Sequence, residues 1–324
     1  MENQFENRID LSDLVNKTQA VKNEISKYII GQQQLIDLLL IALLADGHVL
    51  IEGVPGVAKT LTSKLLAKTI DAEFKRIQFT PDLMPSDIIG TSIFNAKTAD
   101  FEFKKGPLFA NIVLTDEINR SPAKTQAALF EAMEERQITV DGKTYPLDPP
   151  FMVLATQNPI EQEGTYRLPE AQLDRFLFKI HVGYPSLEDE GIMLMNFHTN
   201  SHIIDVNKVT KVLNKASINE LKKLTTKIVI EENLIKYVTQ IVQATRKNSG
   251  LFLGASPRAS IAILNSAKAN ACIQNRDFVT PDDIKFVAFP VLRHRIMLTP
   301  EKEMEGVGVD TIIQQIIDKV EVPR

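Results

Sequence analysis

The segment 48–60 constrains this chain more than any other. His48-Val49-Leu50-Ile51 is a short apolar run suited to a buried strand, and it passes through Glu52 into Gly53-Val54-Pro55-Gly56-Val57-Ala58-Lys59-Thr60, with Leu61 next. These residues match the phosphate-loop pattern G-x-x-x-x-G-K-[ST], with alanine in place of the last glycine. Between a strand and a helix, such a turn lets successive backbone N–H groups surround phosphate oxygens at a helix N-terminus. Lys59 would neutralise β- and γ-phosphate charge, and Thr60 would offer its hydroxyl to Mg²⁺. Ala58 keeps its N–H, so the departure loses conformational freedom and not a donor. The competing reading is a surface turn with an incidental lysine, which the strand–loop–helix context disfavours.

The rest of the chain supplies the sheet that such a loop requires. Apolar residues recur at helical spacing over 12–45, broken at Gly31, and strands are expected at 74–79, 112–115 and 152–156. Between the last two, Ser121 reads as the N-cap of a helix with Pro122 at its first position. This alternation predicts an α/β fold with a doubly wound parallel sheet. Two insertions read as hairpins: 92–105, with Phe94 facing Phe101-Glu102-Phe103, and 137–147, turned at Asp141-Gly142. After Pro185 the strand signal fades, Leu234, Val238, Ile241 and Val242 mark one apolar helical face, and further helices are capped near Ser256 and Thr280. At 324 residues the chain exceeds a comfortable single domain. The expected division is 1–185, a nucleotide-binding αβα unit with N-terminal helices and both hairpins, and 186–324, a smaller helical lid.

The next chemical signal is Ile112-Val113-Leu114-Thr115-Asp116-Glu117, an apolar strand ending in two adjacent carboxylates. Open α/β sheets bind ligands at that edge. Successive residues leave a strand in different directions, so Asp116 can reach the Mg²⁺ shell while Glu117 polarises the attacking water. The strand at 152–156 runs into Thr156-Gln157-Asn158-Pro159, where the Asn158 amide could bond both the γ-phosphate and the lytic water as a sensor of nucleotide state. Arg258, in Ser256-Pro257-Arg258, falls in the first turn of a helix, where the dipole disfavours a cation. An anion beside it is therefore expected, and the γ-phosphate is the candidate. Arg175, between Asp174 and Phe176, cannot be aimed from its sequence surroundings.

Composition limits the partners. The net charge of -4 and pI near 5.8 give no general basic field for nucleic acid. The start MENQFENRID lacks the cationic and apolar regions of a secretory signal, and the apolar run 35–45 carries Asp37 and stops at Asp46, too short and charged to cross a bilayer. A lone cysteine, Cys272, reads as core in a reducing compartment. The chain is expected to be soluble and cytoplasmic. His198 and His202 stand at helical spacing but have no acidic base between them, so they read as solvent-facing; Arg293-His294-Arg295 is a small basic cluster without an assigned role.

Taken together these segments resemble the MoxR family of AAA+ ATPases over nearly the whole chain. Besides the phosphate loop, the matching segments are Arg76-Ile-Gln-Phe-Thr-Pro-Asp-Leu-Met-Pro-Ser-Asp87, Leu114-Thr-Asp-Glu-Ile-Asn-Arg120, Leu129-Phe-Glu-Ala-Met-Glu-Glu-Arg-Gln137, Ala155-Thr-Gln-Asn-Pro159 and Leu168-Pro-Glu-Ala-Gln-Leu-Asp-Arg-Phe176. The alanine before Lys59 also resembles the family's usual form. The resemblance implies a five-stranded αβα core and a helical lid, assembled into a ring, usually a hexamer, with ATP at each subunit junction. It implies that Arg175 is the arginine finger, Arg258 the second sensor, and Gly31-Gln32 part of the adenine pocket. It also implies that both hairpins face the pore or an axial surface, and that the partner is a protein client, often one bearing a von Willebrand factor A domain. Alternate phenylalanines usually pack inward, so Phe94, Phe101 and Phe103 are expected inside more than on a client surface. Two rivals stand beside this reading. One is a nucleic-acid motor with Lys104, Lys105 and Lys143 lining a pore, and the other is a nucleotide-gated binding module, which the presence of Glu117 disfavours.

Overall fold

The computed structural model describes residues 10–158, 166, 168–199 and 206–323. Its strands, in chain order, are β1 (Val49–Gly53), β2 (Phe74–Gln78), the antiparallel pair β3 (Gly90–Asn95) and β4 (Asp100–Lys105), β5 (Ile112–Asp116), a second antiparallel pair β6 (Gln137–Val140) and β7 (Lys143–Pro146), β8 (Met152–Gln157), β9 (Phe178–Val182), and the short β10 (Leu251–Leu253) and β11 (Met297–Leu298). The helices are α1 (Ser12–Ser26), α2 (Gln33–Leu44), α3 (Lys59–Thr69), α4 (Pro85–Ile89), α5 (Ala123–Glu135), α6 (Glu170–Leu173), α7 (Leu187–Thr199), α8 (Lys215–Thr226), α9 (Glu232–Lys247), α10 (Pro257–Ile273), α11 (Pro281–Leu292), α12 (Pro300–Met304) and α13 (Val309–Lys319).

Five strands form one parallel sheet in the order β2-β5-β8-β1-β9. Because side chains alternate across a strand, each strand feeds two cores. Val49, Ile51, Ile112, Leu114 and Leu154 face one layer, whereas Leu50, Val113, Val153 and Ala155 face the other. The central strands β5 and β8 are buried on both faces and read as continuous apolar runs, as parallel strands do. The edge strand β2 carries the polar Lys75, Arg76 and Gln78 and is largely exposed. Placing β1 between β8 and β9 makes the order reverse beside the phosphate loop, the crevice where such sheets bind ligands.

An αβα core is thus followed by a helical lid. Apolar almost all round, α2 is buried because it is wedged between β9 on one side and α8 and α10 on the other. The core on that face of the sheet continues through Ile263, Ala267, Val287 and Ile313 of the lid helices. Within the lid, α11 opens with a capping box of Thr280 and Asp283, and Asp283 also accepts from Arg276 and Asn270.

Some sequence expectations shift. The fifth strand, β9, carries Lys179 and His181 at alternate positions and so lacked an apolar-run signal. Pro122, not Ser121, is the N-cap of α5, and the buried Ser121 hydroxyl has no hydrogen-bond partner among the described residues. Both hairpins form, with Phe94 opposite Phe101 in register. Inward packing of the phenylalanines is corrected. Phe94 and Phe101 are 55% and 68% exposed and meet edge to face on the hairpin surface, because no layer covers that side. Phe103 alone stacks on a neighbouring element, at Tyr145 of β7. The basic cluster is partnered: Arg293 pairs with Asp310, and buried Arg295 pairs with Asp174. His198 is exposed, while His202 lies outside the described residues.

Candidate active site

Residues of the phosphate loop leave the C-terminal end of β1 and wrap the first turn of α3. Gly56 has φ +88°, which an L side chain rarely adopts. Gly53 lies so close to β9 that a Cβ would stand 2.6 Å from the Val182 carbonyl oxygen. Ala58, at the position where the general pattern has glycine, takes φ +60° as the N-cap of α3. Holding a non-glycine residue there costs about 1–2 kcal/mol, a strain of the kind functional loops retain. Lys59 folds back so that its ammonium donates to the Gly53 carbonyl. Partial burial lowers the Lys59 pKa, and the nearby carboxylates Asp116, Glu117 and Glu52 oppose that shift. The ammonium therefore sits inside the loop, close to acids carried by β1 and by the end of β5.

Two of those acids stand side by side at the end of β5. Asp116 closes β5 and is buried, with Oδ1 accepting from the Thr156 hydroxyl at 3.0 Å. Thr156 Oγ1 in turn accepts from the Glu117 backbone N–H at 3.0 Å, so β8 clamps the acidic pair in place. On the other side Asp116 Oδ2 faces Thr60 Oγ1 at 3.5 Å. A hydroxyl and a carboxylate are the hard oxygen donors that Mg²⁺ accepts while keeping water in its remaining positions. Among the described residues no group of three or more His, Cys, Asp and Glu offers a richer metal cage. Glu117 turns away from Asp116 because its backbone enters the left-handed region, at φ 57°. Its carboxylate accepts from Gln78 Nε2 at 2.8 Å and pairs with Arg120 at 3.0 Å. Asn158 is buried immediately after β8, on the same edge of the sheet.

Gly31, Gln32, Leu35, His181, Gly183 and Tyr184 line a cleft of about 190 Å³ beside the ends of β1 and β9. Gln32 Nε2 reaches the Gly183 carbonyl at 3.1 Å, joining the segment before α2 to the strand that touches Gly53. Below it, Glu52 pairs with Lys179 and His181; burial pushes its carboxyl pKa up, but these two partners prevail and bring it down to about 2.

The two arginines belong to another edge of the sheet. Register sets Val49 beside Phe178 and Gly53 beside Val182, so Arg175 precedes β9 at the N-terminal edge. The four-residue rise along β9 separates that level from the phosphate loop by about 13 Å. Arg175 donates to the Phe130 carbonyl at 2.8 Å and pairs with Glu134 at 2.5 Å. Arg258 reaches the same Glu134 carboxylate at 3.1 Å. The anion expected beside Arg258 is therefore Glu134, and not a phosphate on this chain's own loop. The lid is tied here too: Ser256 donates to Asp174 at 3.1 Å, and Arg295 pairs with the other Asp174 oxygen at 2.7 Å. Glu134, Asp174, Arg76, Gln78 and Thr156 were not singled out in the sequence. For Arg76 and Gln78 a signal existed, since polar residues two apart on a strand share one face.

Family comparison agrees with this geometry. Residues 48–178 match the model of the ATPase family associated with various cellular activities (AAA), and residues 243–316 match the AAA lid domain. The uncharacterised protein YeaC of Bacillus subtilis is 49% identical over 97% of this chain and 96% of its own length. Chaperone MoxR1 of Mycobacterium tuberculosis is 43% identical, covering 93% of this chain and 81% of its own. A crystal structure from Cytophaga hutchinsonii, assigned as an ATPase, superposes with a TM-score of 0.88 at 48% identity, covering 96% of this chain and 97% of that one.

Proposed function

The chain belongs to the MoxR family of AAA+ ATPases, and from that premise we propose how its residues divide the work of hydrolysing ATP and what the work is for. Backbone N–H groups between Gly53 and Leu61, excepting Pro55, which has none, bind the phosphates, with Lys59 placed against the β- and γ-phosphate oxygens. Gly31 and Gln32 border the adenine. Thr60 and Asp116 would hold Mg²⁺, which would supply positive charge against the phosphate oxygens. Glu117 accepts a proton from the attacking water, and Asn158 orients that water and the γ-phosphate.

The observation that carries this reading is the convergence of Lys59, Thr60, Asp116, Glu117 and Asn158 at the C-terminal ends of β1, β5 and β8. Arg175 and Arg258 lie too far from that edge to serve the same nucleotide. Their placement supports action on a neighbour's γ-phosphate across a subunit junction, and hence a closed ring, for which six is the expected number. Turnover in such a ring would remodel or mature a protein client, with a von Willebrand factor A domain as the first candidate. The exposed Phe94 and Phe101 on the β3–β4 hairpin support a protein contact more than a nucleic-acid one, because the chain as a whole is acidic. No helix among the described residues is long and apolar enough to cross a membrane, and the single, buried Cys272 supports a cytoplasmic location.

The direct test measures ATP retention and steady-state phosphate release for wild type and Glu117→Gln. The variant is expected to keep ATP while release falls by about 10²–10⁴-fold, the usual worth of a positioned base. Equal rates would remove Glu117 from the mechanism. Trapping with the same variant, followed by stimulation of wild-type turnover by the captured protein or by single- and double-stranded DNA, separates a protein client from a nucleic-acid one.

A further inference from the structure

Strand β2 carries two side chains for which the mechanism above has no use. Arg76 and Gln78 stand two residues apart and share the face of the sheet that carries Asp116, which Gln78 neighbours in register. Arg76 Nε donates to Asp116 Oδ2 at 2.6 Å. That oxygen is the one facing Thr60 Oγ1 at 3.5 Å. Arg76 Nη2 also donates to Gln78 Oε1 at 3.2 Å, and Gln78 Nε2 donates to Glu117 Oε2 at 2.8 Å. Three hydrogen bonds thus join the two catalytic carboxylates through a pair of side chains on the edge strand.

The partners in this relay differ in mobility. The Asp116 side chain is only 9% exposed and is pinned through Oδ1 by Thr156, so it cannot turn to offer a different oxygen. The Arg76 side chain is 52% exposed on an edge strand and can swing into water at small cost. A guanidinium and a divalent cation cannot both occupy the Oδ2 side of one carboxylate, since like charges at contact distance repel and their donor geometries overlap.

We propose that Arg76 is a displaceable resident cation on the metal-binding oxygen of Asp116, so that Mg²⁺ binds there only by ejecting the guanidinium into solvent. Arg76 on this view is a positioning residue that holds the Asp116 carboxylate until the metal replaces it, while Glu117 keeps Arg120 as a partner of its own. The inference rests on the reading that Asp116 and Thr60 hold Mg²⁺.

The test avoids turnover. A fluorescent ADP is titrated into wild type, Arg76→Gln and Arg76→Lys, with and without Mg²⁺, and the factor by which Mg²⁺ tightens binding is compared. A charge-assisted bond to a half-exposed arginine, discounted for solvent, corresponds to a rise of about tenfold in that factor for Arg76→Gln. Metal-free ADP affinity should stay within about twofold. Arg76→Lys keeps the charge and should return the factor toward wild type. A wild-type factor above one that Arg76→Gln leaves unchanged would overturn the proposal, as would Arg76→Lys behaving like Arg76→Gln. Weakened metal-free binding in Arg76→Gln would also overturn it, by making Arg76 a phosphate ligand. A wild-type factor of one would instead remove the metal reading of Asp116 and Thr60, so the two failures are distinguishable.

Discussion

His48 can satisfy both of its neighbours in one protonation state only. Its Nδ1 accepts from the Val153 backbone N–H at 2.9 Å, so Nε2 must carry the proton it shares with the Met133 carbonyl at 3.1 Å. Burial, aided by the nearby Arg136 charge, lowers its pKa from 6.5 to about 3. His294, against the Phe176 carbonyl, is likewise held well below the ordinary value by burial. For both groups the unfolded chain binds a proton that the folded chain refuses. Stability is therefore full above pH 6.5 and falls as pH drops from there toward the folded pKa. For His48 the loss between pH 6.5 and 5.5 should be about 1 kcal/mol, because the unfolded imidazole is already half protonated at the upper end of that range. Urea unfolding at a series of pH values, compared with His48→Gln, checks this. The variant should lose one proton's worth of slope, and an unchanged slope would show that His48 is not the group responsible.

At the scale of elements, the start of α11 shows how much one buried cap can hold. Asp283 is 1% exposed and accepts from the Thr280 backbone and hydroxyl, from Arg276 and from Asn270. Burial opposes its ionised form, but these donors prevail and lower its pKa. Asp283→Ala would leave Arg276 and the first turn of α11 without their acceptor, at a cost of about 3–5 kcal/mol. Equilibrium denaturation should show the loss, and a change under 1 kcal/mol would mean that water replaces the carboxylate. This cap was legible in Thr280-Pro281-Asp282-Asp283 because its interactions are local. So were the phosphate loop, the two hairpin turns and the acidic end of β5, each set by residues near one another in the chain. What escaped the sequence depends on contacts between distant segments. The strand β9 carries charges because Glu52 of β1 lies opposite to pair with them. Arg76 became visible only when β2 was seen beside β5. Phe94 and Phe101 looked like core residues until no layer was found to cover them.

Under the proposed assignment, the whole molecule presents two incomplete halves of one site. Phosphate-binding and water-activating residues stand at the C-terminal edge of the sheet, while Arg175 and Arg258 gather around Glu134 at the N-terminal side, about 13 Å lower along β9. No hinge inside the core can close that gap, since β1 and β9 are hydrogen-bonded neighbours along their full length. A second copy can, by bringing its arginine edge to the first copy's loop. Such a contact is heterologous, and it closes only as a ring. Arg175→Ala should then reduce turnover by about 10³-fold or more, as removal of an arginine finger does, while leaving each chain's own ATP binding intact. Glu117→Gln should be inactive for the opposite reason. When the two variants are mixed and allowed to reassemble, about a quarter of junctions pair an intact Glu117 with a neighbour's intact Arg175. Phosphate release should reappear in the mixture in proportion to those junctions. If Arg175 served its own chain's nucleotide, each variant would carry a complete defect of its own, and the mixture would stay as inactive as its parts.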